Sequence, residues 1–215
     1  MKERGIIFNA EMVRAILDGR KTQTRRIIKS VPATHNFHGW VMSSTRAKDE
    51  GKACWAIGDS PLLKEPIRLN CPLGKVGDRL WVRETFGNRV VRDALGGYGE
   101  FITYRASKPD AVYCTCASGD VIPMKWTPSI HMPRRYSRIT LEITDVRVEQ
   151  LQDISKQDAI SEGAPQGHYS IDVISKQFGF PDFSRSWFAQ IWMDIYGEDS
   201  WVNNEWVWVI EFKRI

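Results

Sequence analysis

Several features that mark common protein classes are absent from this sequence. It has no apolar run long enough to cross a bilayer, and its first residues, MKERGIIFNAEMV, lack the apolar core of a signal peptide. It also lacks the glycine fingerprint of dinucleotide-binding folds, the phosphate-binding P-loop, the HExxH zinc motif and any internal repeat. We therefore expect a cytoplasmic protein that does not bind membranes and whose chemistry follows none of these motifs.

Cysteine is scarce, and the four residues are Cys54, Cys71, Cys114 and Cys116. One Cys-x-Cys pair and two distant single cysteines do not match the paired CxxC spacing of structural zinc sites. Thiols in the cytoplasm also stay reduced. We expect free thiols, no metal and no other cofactor, and metal analysis of the purified protein would decide whether these cysteines hold zinc.

The composition is that of a globular protein. The 215 residues are 42% hydrophobic and include nine tryptophans, which is enough for one domain with insertions or for two small ones. Net charge is only +4, but residues 1–30 alone hold eight basic and three acidic residues. A local basic patch of this kind suits phosphates or nucleic acid, although a solvated face has the same composition.

Local patterns predict a mixed α+β fold with a curved or closed sheet. Apolar or β-branched strands are predicted at GIIF, TQTRRII, RLWVRE, RITLEITDV and EWVWVIEF, and amphipathic helices at AEMVRAIL, SKQDAISEG and FSRSWFAQIWMDIYG. Residues 30–75, 87–125 and 164–181 are less regular and are predicted to be long loop insertions. Residues 87–125 contain the Gly96–Gly97 pair and one candidate strand, FITYRA.

The basic segment ILDGRKTQTRRIIK follows the first predicted helix. Gly19 fits a left-handed helix end, so Lys21 lies at the bend and a strand follows. The period of two along a strand places Thr22, Thr24 and Arg26 on one face, and Gln23 and Arg25 on the other.

This segment resembles the signature of the ASCH family, a branch of the PUA-like β-barrel superfamily. The family pattern of Gly-x-Lys, then Glu, then Arg falls on Gly19, Lys21, Thr24 and Arg26, with threonine in place of glutamate. Three further segments look like the larger ASCH proteins of phages and prophages. They are GDRLWVRETF, PSIHMPRRYSRITLEITDVRVEQLQDIS and WVWVIEFKRI. The resemblance covers residues 1–215 and implies one PUA-like barrel domain with flanking helices and the three insertions.

The threonine points to one subgroup of that family. Small bacterial amidohydrolases that act on acetylcytidine have GRKTxTxR at this place, and their activity is attributed to a lysine, a threonine and a glutamate. The resemblance assigns these roles to Lys21, Thr24 and Glu162. It also implies binding of RNA or nucleotides, and some family members are reported as nucleases.

The chemistry of such a trio leaves two routes open. Lys21 is a base for a Thr24 nucleophile if its pKa is depressed; alternatively Glu162 activates a water and Thr24 only binds. We expect RNA or a modified nucleoside as partner. A binding module without catalysis and a phage accessory protein that acts through protein contacts are the alternatives.

Further basic and acidic residues are candidates for binding nucleic acid or substrate. Arg83 and Glu84 lie at the end of a predicted strand, where they either line a cleft or, in the case of Glu84, pair with an arginine. Arg134 and Arg135 form a second basic cluster that suits a phosphate backbone. The full set of binding candidates is Arg20, Arg25, Arg26, Arg83, Glu84, Arg134 and Arg135.

Overall fold

A computed structural model describes residues 1–32, 34–58, 64–92, 97–116, 118–165 and 169–215. The chain divides into two compact units. The first unit is formed by Met1–Lys21, Asp78–Glu142 and Lys213–Ile215, and the second by Thr22–Gly77 and Ile143–Phe212. Each unit is therefore built from segments far apart in sequence, and the single domain expected over residues 1–215 stays a prediction.

The structure confirms a mixed α+β class. Its strands are β1 Glu3–Ile7, β2 Gln23–Ile27, β3 His35–Trp40, β4 Ala53–Ile57, β5 Lys64–Leu69, β6 Arg79–Arg83, β7 Phe86–Arg92, β8 Tyr98–Tyr104, β9 Val112–Thr115, β10 Val121–Pro123, β11 Thr140–Gln150 and β12 Trp206–Arg214. Its α-helices are α1 Ala10–Leu17, α2 Lys156–Ser161, α3 Tyr169–Gln177 and α4 Phe183–Tyr196. The sheets of the described residues do not close into a barrel, so the PUA-like barrel stays a prediction. Nor does any described helix combine the length and the apolarity that a membrane span requires.

In the first unit, β6 lies between β1, to which it is parallel, and the start of β11, to which it is antiparallel. Their inward residues are apolar and buried: Ile6, Leu80, Val82 and Leu141. Residues 87–125 were expected to be a loop, but most of their described part forms the antiparallel pairs β7–β8 and β9–β10. The second half of β8 coincides with the start of the candidate strand FITYRA. Of the Gly96–Gly97 pair, Gly96 lies outside the described residues.

In the second unit, β12 lies between the later part of β11 and the antiparallel strand β2. Helices α2 and α4 pack against these strands through Leu151, Ile154, Ala159, Phe188, Trp192, Val207 and Val209. The local signals for these helices were read correctly, since Ser155 caps α2 and Gly197 follows α4. The same holds for α1, which Asn9 caps and after which Gly19 has a φ of +74°.

Two other expected loops contain regular structure. The described part of residues 30–75 contains the antiparallel sheet β3–β4–β5. Trp55 of this sheet packs with Phe37 and with Trp208 of β12, at 5.4 Å and 5.8 Å from ring centre to ring centre. Within residues 164–181, α3 forms because Asp172 binds Lys156 Nζ at 2.7 Å and the Phe183 N–H at 2.9 Å. Both corrections arise from long-range contacts that a local pattern does not reveal.

Candidate functional site

The middle of the basic segment is buried, which is unusual for its composition. Lys21, Gln23, Thr24 and Arg25 are each at most 2% exposed, whereas Thr22 between them is exposed. Burial of polar and charged groups costs free energy unless each finds a partner. Lys21 is the last residue of the first unit. Its Nζ lies 5.7 Å from the centre of the Phe8 ring, and Lys21 has further contacts besides this one. The segment is therefore a polar part of the interior rather than a solvated basic face.

Arg25 and Arg147 organise a group of polar side chains inside the second unit, which we call the Arg25–Arg147 cluster. Its members are Gln23, Arg25, Arg147, Glu149, Asp158, Glu162 and Glu211. Gln23 and Arg25 lie on one face of β2, as the period of two predicts. Arg147 and Glu149 lie on one face of β11, while Asp158 and Glu162 come from α2 and its C-terminal cap.

The guanidinium of Arg25 is completely buried among carboxylates. Its Nη2 lies 2.7 Å from Glu149 Oε2 and 3.8 Å from Asp158 Oδ2, and its Nη1 lies 3.3 Å from Glu162 Oε1. The Phe188 ring packs on it, 5.8 Å from the guanidinium carbon. Arg25 is therefore enclosed by three carboxylates and an aromatic ring.

Arg147 connects the rest of the cluster. Its Nε donates to Glu149 Oε1 at 2.6 Å and its Nη2 to Asp158 Oδ1 at 2.8 Å, and it also binds Glu211. Glu149 thus bridges the two guanidinium groups, which ties β2, β11 and α2 together. Two arginines face four carboxylates, so the cluster is acidic overall despite its basic sequence context.

Electrostatics within the cluster favour the ionised forms. Burial is the largest single influence on the pKa of Asp158 and raises it, while the hydrogen bond with Ser155 lowers it. The charges of Arg25 and Arg147 act in the same direction, so the pKa of Asp158 lies below its ordinary value. Burial lowers the pKa of Arg147, but Glu149, Glu211 and Asp158 together raise that pKa above its ordinary value. The surroundings therefore favour the charged forms of Asp158 and Arg147.

Sequence reasoning missed Arg147, Glu149 and Asp158 as members of this site. A signal was present, because Asp145, Arg147 and Glu149 alternate with Val146 and Val148 along β11. That alternation predicts a charged face opposite the apolar one. The alternation does not reveal the partners of these charged residues, because the partners lie on β2 and α2.

The structure shows the pairing alternative for Glu84, while the cleft expected for Arg83 and Glu84 stays a prediction. Glu84 is buried and accepts from Nε and Nη2 of Arg138, both at 2.8 Å, so it pairs with an arginine. Arg138 in turn lies 4.1 Å above the Tyr104 ring and donates to Ser107 Oγ at 2.8 Å. Arg83, the preceding residue, donates to the carbonyl of Ile130 and stacks on Trp81.

The remaining basic candidates lie nearer to solvent. Arg134 forms two 2.9 Å hydrogen bonds to the carboxylate of Glu3, and Arg135 lies 4.9 Å from the Tyr136 ring centre. Arg20 pairs with Asp18 at 3.2 Å, and Arg26 is partly exposed on β2, on the face opposite Arg25. None of these positions tests a role in binding nucleic acid.

The cysteines do not form a metal site in the described part of the chain. All four are free thiols; Cys54 and Cys71 are buried, Cys114 is half-buried and Cys116 is exposed. Across the described ranges, no three His, Cys, Asp or Glu side chains are arranged to hold a metal ion.

No family model, curated protein or solved structure gives a significant match to this chain. The resemblance to ASCH domains thus rests on the motifs of the sequence.

Proposed function

We propose that this chain is an ASCH-like protein that binds RNA or a modified nucleoside and hydrolyses an amide bond on an acylated base. The observation that carries the proposal is the burial of the three residues to which the resemblance assigns chemistry. Lys21 and Thr24 are each 2% exposed, and Glu162 is 6% exposed. Buried ionisable residues that are not part of an apolar core are typical of functional sites, although structural ion pairs share this property.

Burial also bears on the size of the substrate. Functional groups withdrawn from the surface are reached by a nucleoside or by a single unpaired base, whereas the bases of a duplex stay within the stack. An acylated cytidine is a substrate of that size. A ribonuclease reading would require the same groups to reach the sugar-phosphate chain, which is bulkier and negatively charged.

The chemistry requires one water for each amide bond that is cleaved. In the first route Lys21 removes the Thr24 hydroxyl proton, the oxygen attacks the acyl carbon, and the C–N bond breaks as the amine leaves with a proton. Water then releases the acyl group from the threonine. In the second route Glu162 removes a proton from water as the water oxygen attacks the acyl carbon. The C–N bond then breaks, and the amine leaves with the proton that Glu162 returns.

The described contacts favour the second route. Glu162 is bound by Arg25, and Arg25 lies on the face of β2 opposite Thr24. An arginine that is fixed by Glu149 and Phe188 holds the Glu162 carboxylate in one orientation, which is what a general base requires. In this route Thr24 takes no part in the attack on the acyl carbon.

Hydrolysis of acetylcytidine by the full chain tests the proposal. Glu162→Gln should lower the turnover by at least about a hundredfold if the second route operates, and Lys21→Ala by as much if the first route operates, because each removes the general base of that route. Comparison of Thr24→Ser with Thr24→Ala separates the two routes. Serine preserves a hydroxyl nucleophile and alanine does not, so only the first route requires the serine variant to be the more active. Lys29→Ala, which removes an exposed lysine just after the same strand, is the matched control and should retain full activity.

Unchanged turnover in both Lys21→Ala and Glu162→Gln would reject the catalytic assignment and indicate a contaminating hydrolase. Absence of turnover combined with salt-sensitive RNA binding would instead favour a binding module. Absence of both would favour a phage accessory protein that contacts other proteins. Thermal unfolding of each variant is recorded in parallel, because buried substitutions also destabilise the fold.

A further inference from the structure

One face of the sheet formed by β1, β6 and the start of β11 in the first unit points away from its core. The inward residues Ile6, Leu80, Val82 and Leu141 are buried. The pairing register places the alternate residues of the three strands side by side on the other face. These outward residues are Glu3, Gly5, Ile7, Arg79, Trp81, Arg83, Thr140 and Glu142.

Trp81 lies at the centre of this outward face, directly against the bare backbone of Gly5. A Cβ at Gly5 would come within 2.9 Å of Trp81 Cζ2 and 3.0 Å of Arg83 Cδ, so both side chains occupy the space that a larger residue would fill. The Arg83 guanidinium carbon lies 5.4 Å from the centre of the Trp81 ring. Glycine therefore allows an indole and a guanidinium to lie together close to the strand.

Arg83 is held in place from a second side. Its Nη2 donates to the carbonyl of Ile130, an exposed residue of the segment before β11. An arginine that both stacks on an aromatic ring and is fixed by a backbone carbonyl loses little further freedom when it binds a ligand. Trp81 and Arg83 are thus a preorganised pair of flat groups on a partly exposed surface.

The charge around this pair is positive. Arg79, Arg83, Arg134 and Lys213 lie on or beside the face, against the carboxylates of Glu3 and Glu142. The excess of two positive charges suits a polyanion.

We propose that Trp81 and Arg83 form a stacking platform for unpaired bases of a single-stranded nucleic acid, with Arg79 and Arg134 close to its phosphates. Bases stack on aromatic and guanidinium planes whatever their identity, whereas a duplex keeps its bases in its own stack. Single strands are therefore the preferred ligand. The inference rests on the proposed function for the class of ligand, nucleic acid, and it does not depend on the amide chemistry.

Fluorescence anisotropy with a short labelled single-stranded RNA, and with the matched RNA duplex, tests the platform in the full chain. Trp81→Leu retains an apolar side chain but removes the flat ring, and should weaken single-strand binding by about tenfold or more. Trp81→Phe retains a ring and should recover most of the affinity. Arg83→Lys retains the charge but loses the plane, and should also weaken binding. Phe101→Ala and Arg105→Ala are matched controls at exposed positions of the same unit and should bind as the unaltered chain does.

The outcomes distinguish this inference from the proposed function. The platform is overturned if Trp81→Leu binds single strands as well as the unaltered chain, if the loss is equal for duplex RNA, or if the unaltered chain captures a protein and no RNA. Acetylcytidine turnover that persists without RNA binding overturns the platform and leaves the hydrolase standing. Trp81-dependent RNA binding in a chain that shows no turnover supports the platform and rejects the hydrolase.

Discussion

Arg25 Nη1 and Glu162 Oε1 lie 3.3 Å apart in the interior of the second unit, although 137 positions separate the two residues in the chain. The pair links β2 to the end of α2, and Glu149 holds the same guanidinium from β11. The motif that resembles an ASCH signature is thus joined to the central strand by ionic contacts. Residues of this motif therefore join elements of the fold, in addition to the chemistry proposed for them.

Replacement of Arg25 should strongly destabilise the fold. Arg25→Met leaves the buried carboxylate of Glu162 without this cation and removes one of the two guanidinium partners of Glu149. We expect a loss of about 3 to 5 kcal/mol in the free energy of unfolding. Arg105→Met, which removes an exposed arginine, should cost less than about 0.5 kcal/mol. Urea unfolding of both variants measures the difference, and equal stabilities would show that the buried pairs contribute nothing net.

The lowered pKa of Asp158 predicts how its contribution to stability depends on pH. A carboxyl whose pKa is lower in the folded state stabilises the fold fully above its unfolded value, which is near 3.8, and loses this contribution as the pH falls through the folded value. Asp158→Asn should therefore cost more at pH 7 than at pH 3. Asp110→Asn, at an exposed position, should cost little at either pH. A cost of Asp158→Asn that does not change with pH would contradict this assignment.

Local signals predicted the parts of the fold that local contacts hold. The Asn9 cap, the Gly19 end of α1 and the Ser155 cap of α2 are each made within a few residues, so the sequence shows them directly. The sheet β3–β4–β5 depends on Trp208 of β12, and α3 depends on the bond from Asp172 to Lys156. Those contacts join distant segments, and no local period reveals them.

The same distinction applies to the candidate site. The period of two placed Gln23 and Arg25 on one face of β2, and the structure confirms this because both bind members of one cluster. Their partners Arg147 and Glu149 lie about 120 positions away, on a strand whose charged face was not interpreted. Which carboxylate meets which arginine depends on tertiary packing, which the spacing of residues does not encode.

Gly19 provides a test of the backbone at the start of the motif. Its φ is +74°, and a Cβ at this position would meet no atom within 4 Å, so the cost of substitution arises from backbone strain alone. Gly19→Ala should lower the free energy of unfolding by about 1 kcal/mol, and Gly19→Asn by less, because asparagine tolerates the left-handed region. Thermal or urea unfolding checks the order, and an alanine variant as stable as the asparagine variant would contradict it.

Thiol reactivity should follow burial. Cys116 is exposed and Cys114 half-buried, whereas Cys54 and Cys71 are buried at 4% and 8% exposure. In the native protein we expect a thiol reagent to modify Cys116 fastest and Cys54 and Cys71 only on unfolding. Comparison with Cys116→Ser, which should lack the fast phase, identifies the residue. Rapid reaction of all four thiols in native buffer would show that the buried cysteines are accessible.

The pair of Glu84 and Arg138 predicts a measurable coupling energy in the first unit. Its two parallel 2.8 Å hydrogen bonds involve a carboxylate that is 2% exposed, a geometry that lysine cannot reproduce. A double-mutant cycle with Glu84→Gln and Arg138→Met should give a coupling of about 1 to 3 kcal/mol in the free energy of unfolding. The exposed pair of Arg20 and Asp18 is the matched control and should give less than about 0.5 kcal/mol. Because the cycle cancels the separate contact of Arg138 with the Tyr104 ring, a coupling near zero would mean that Arg138 stabilises the unit through stacking rather than through its bond to Glu84.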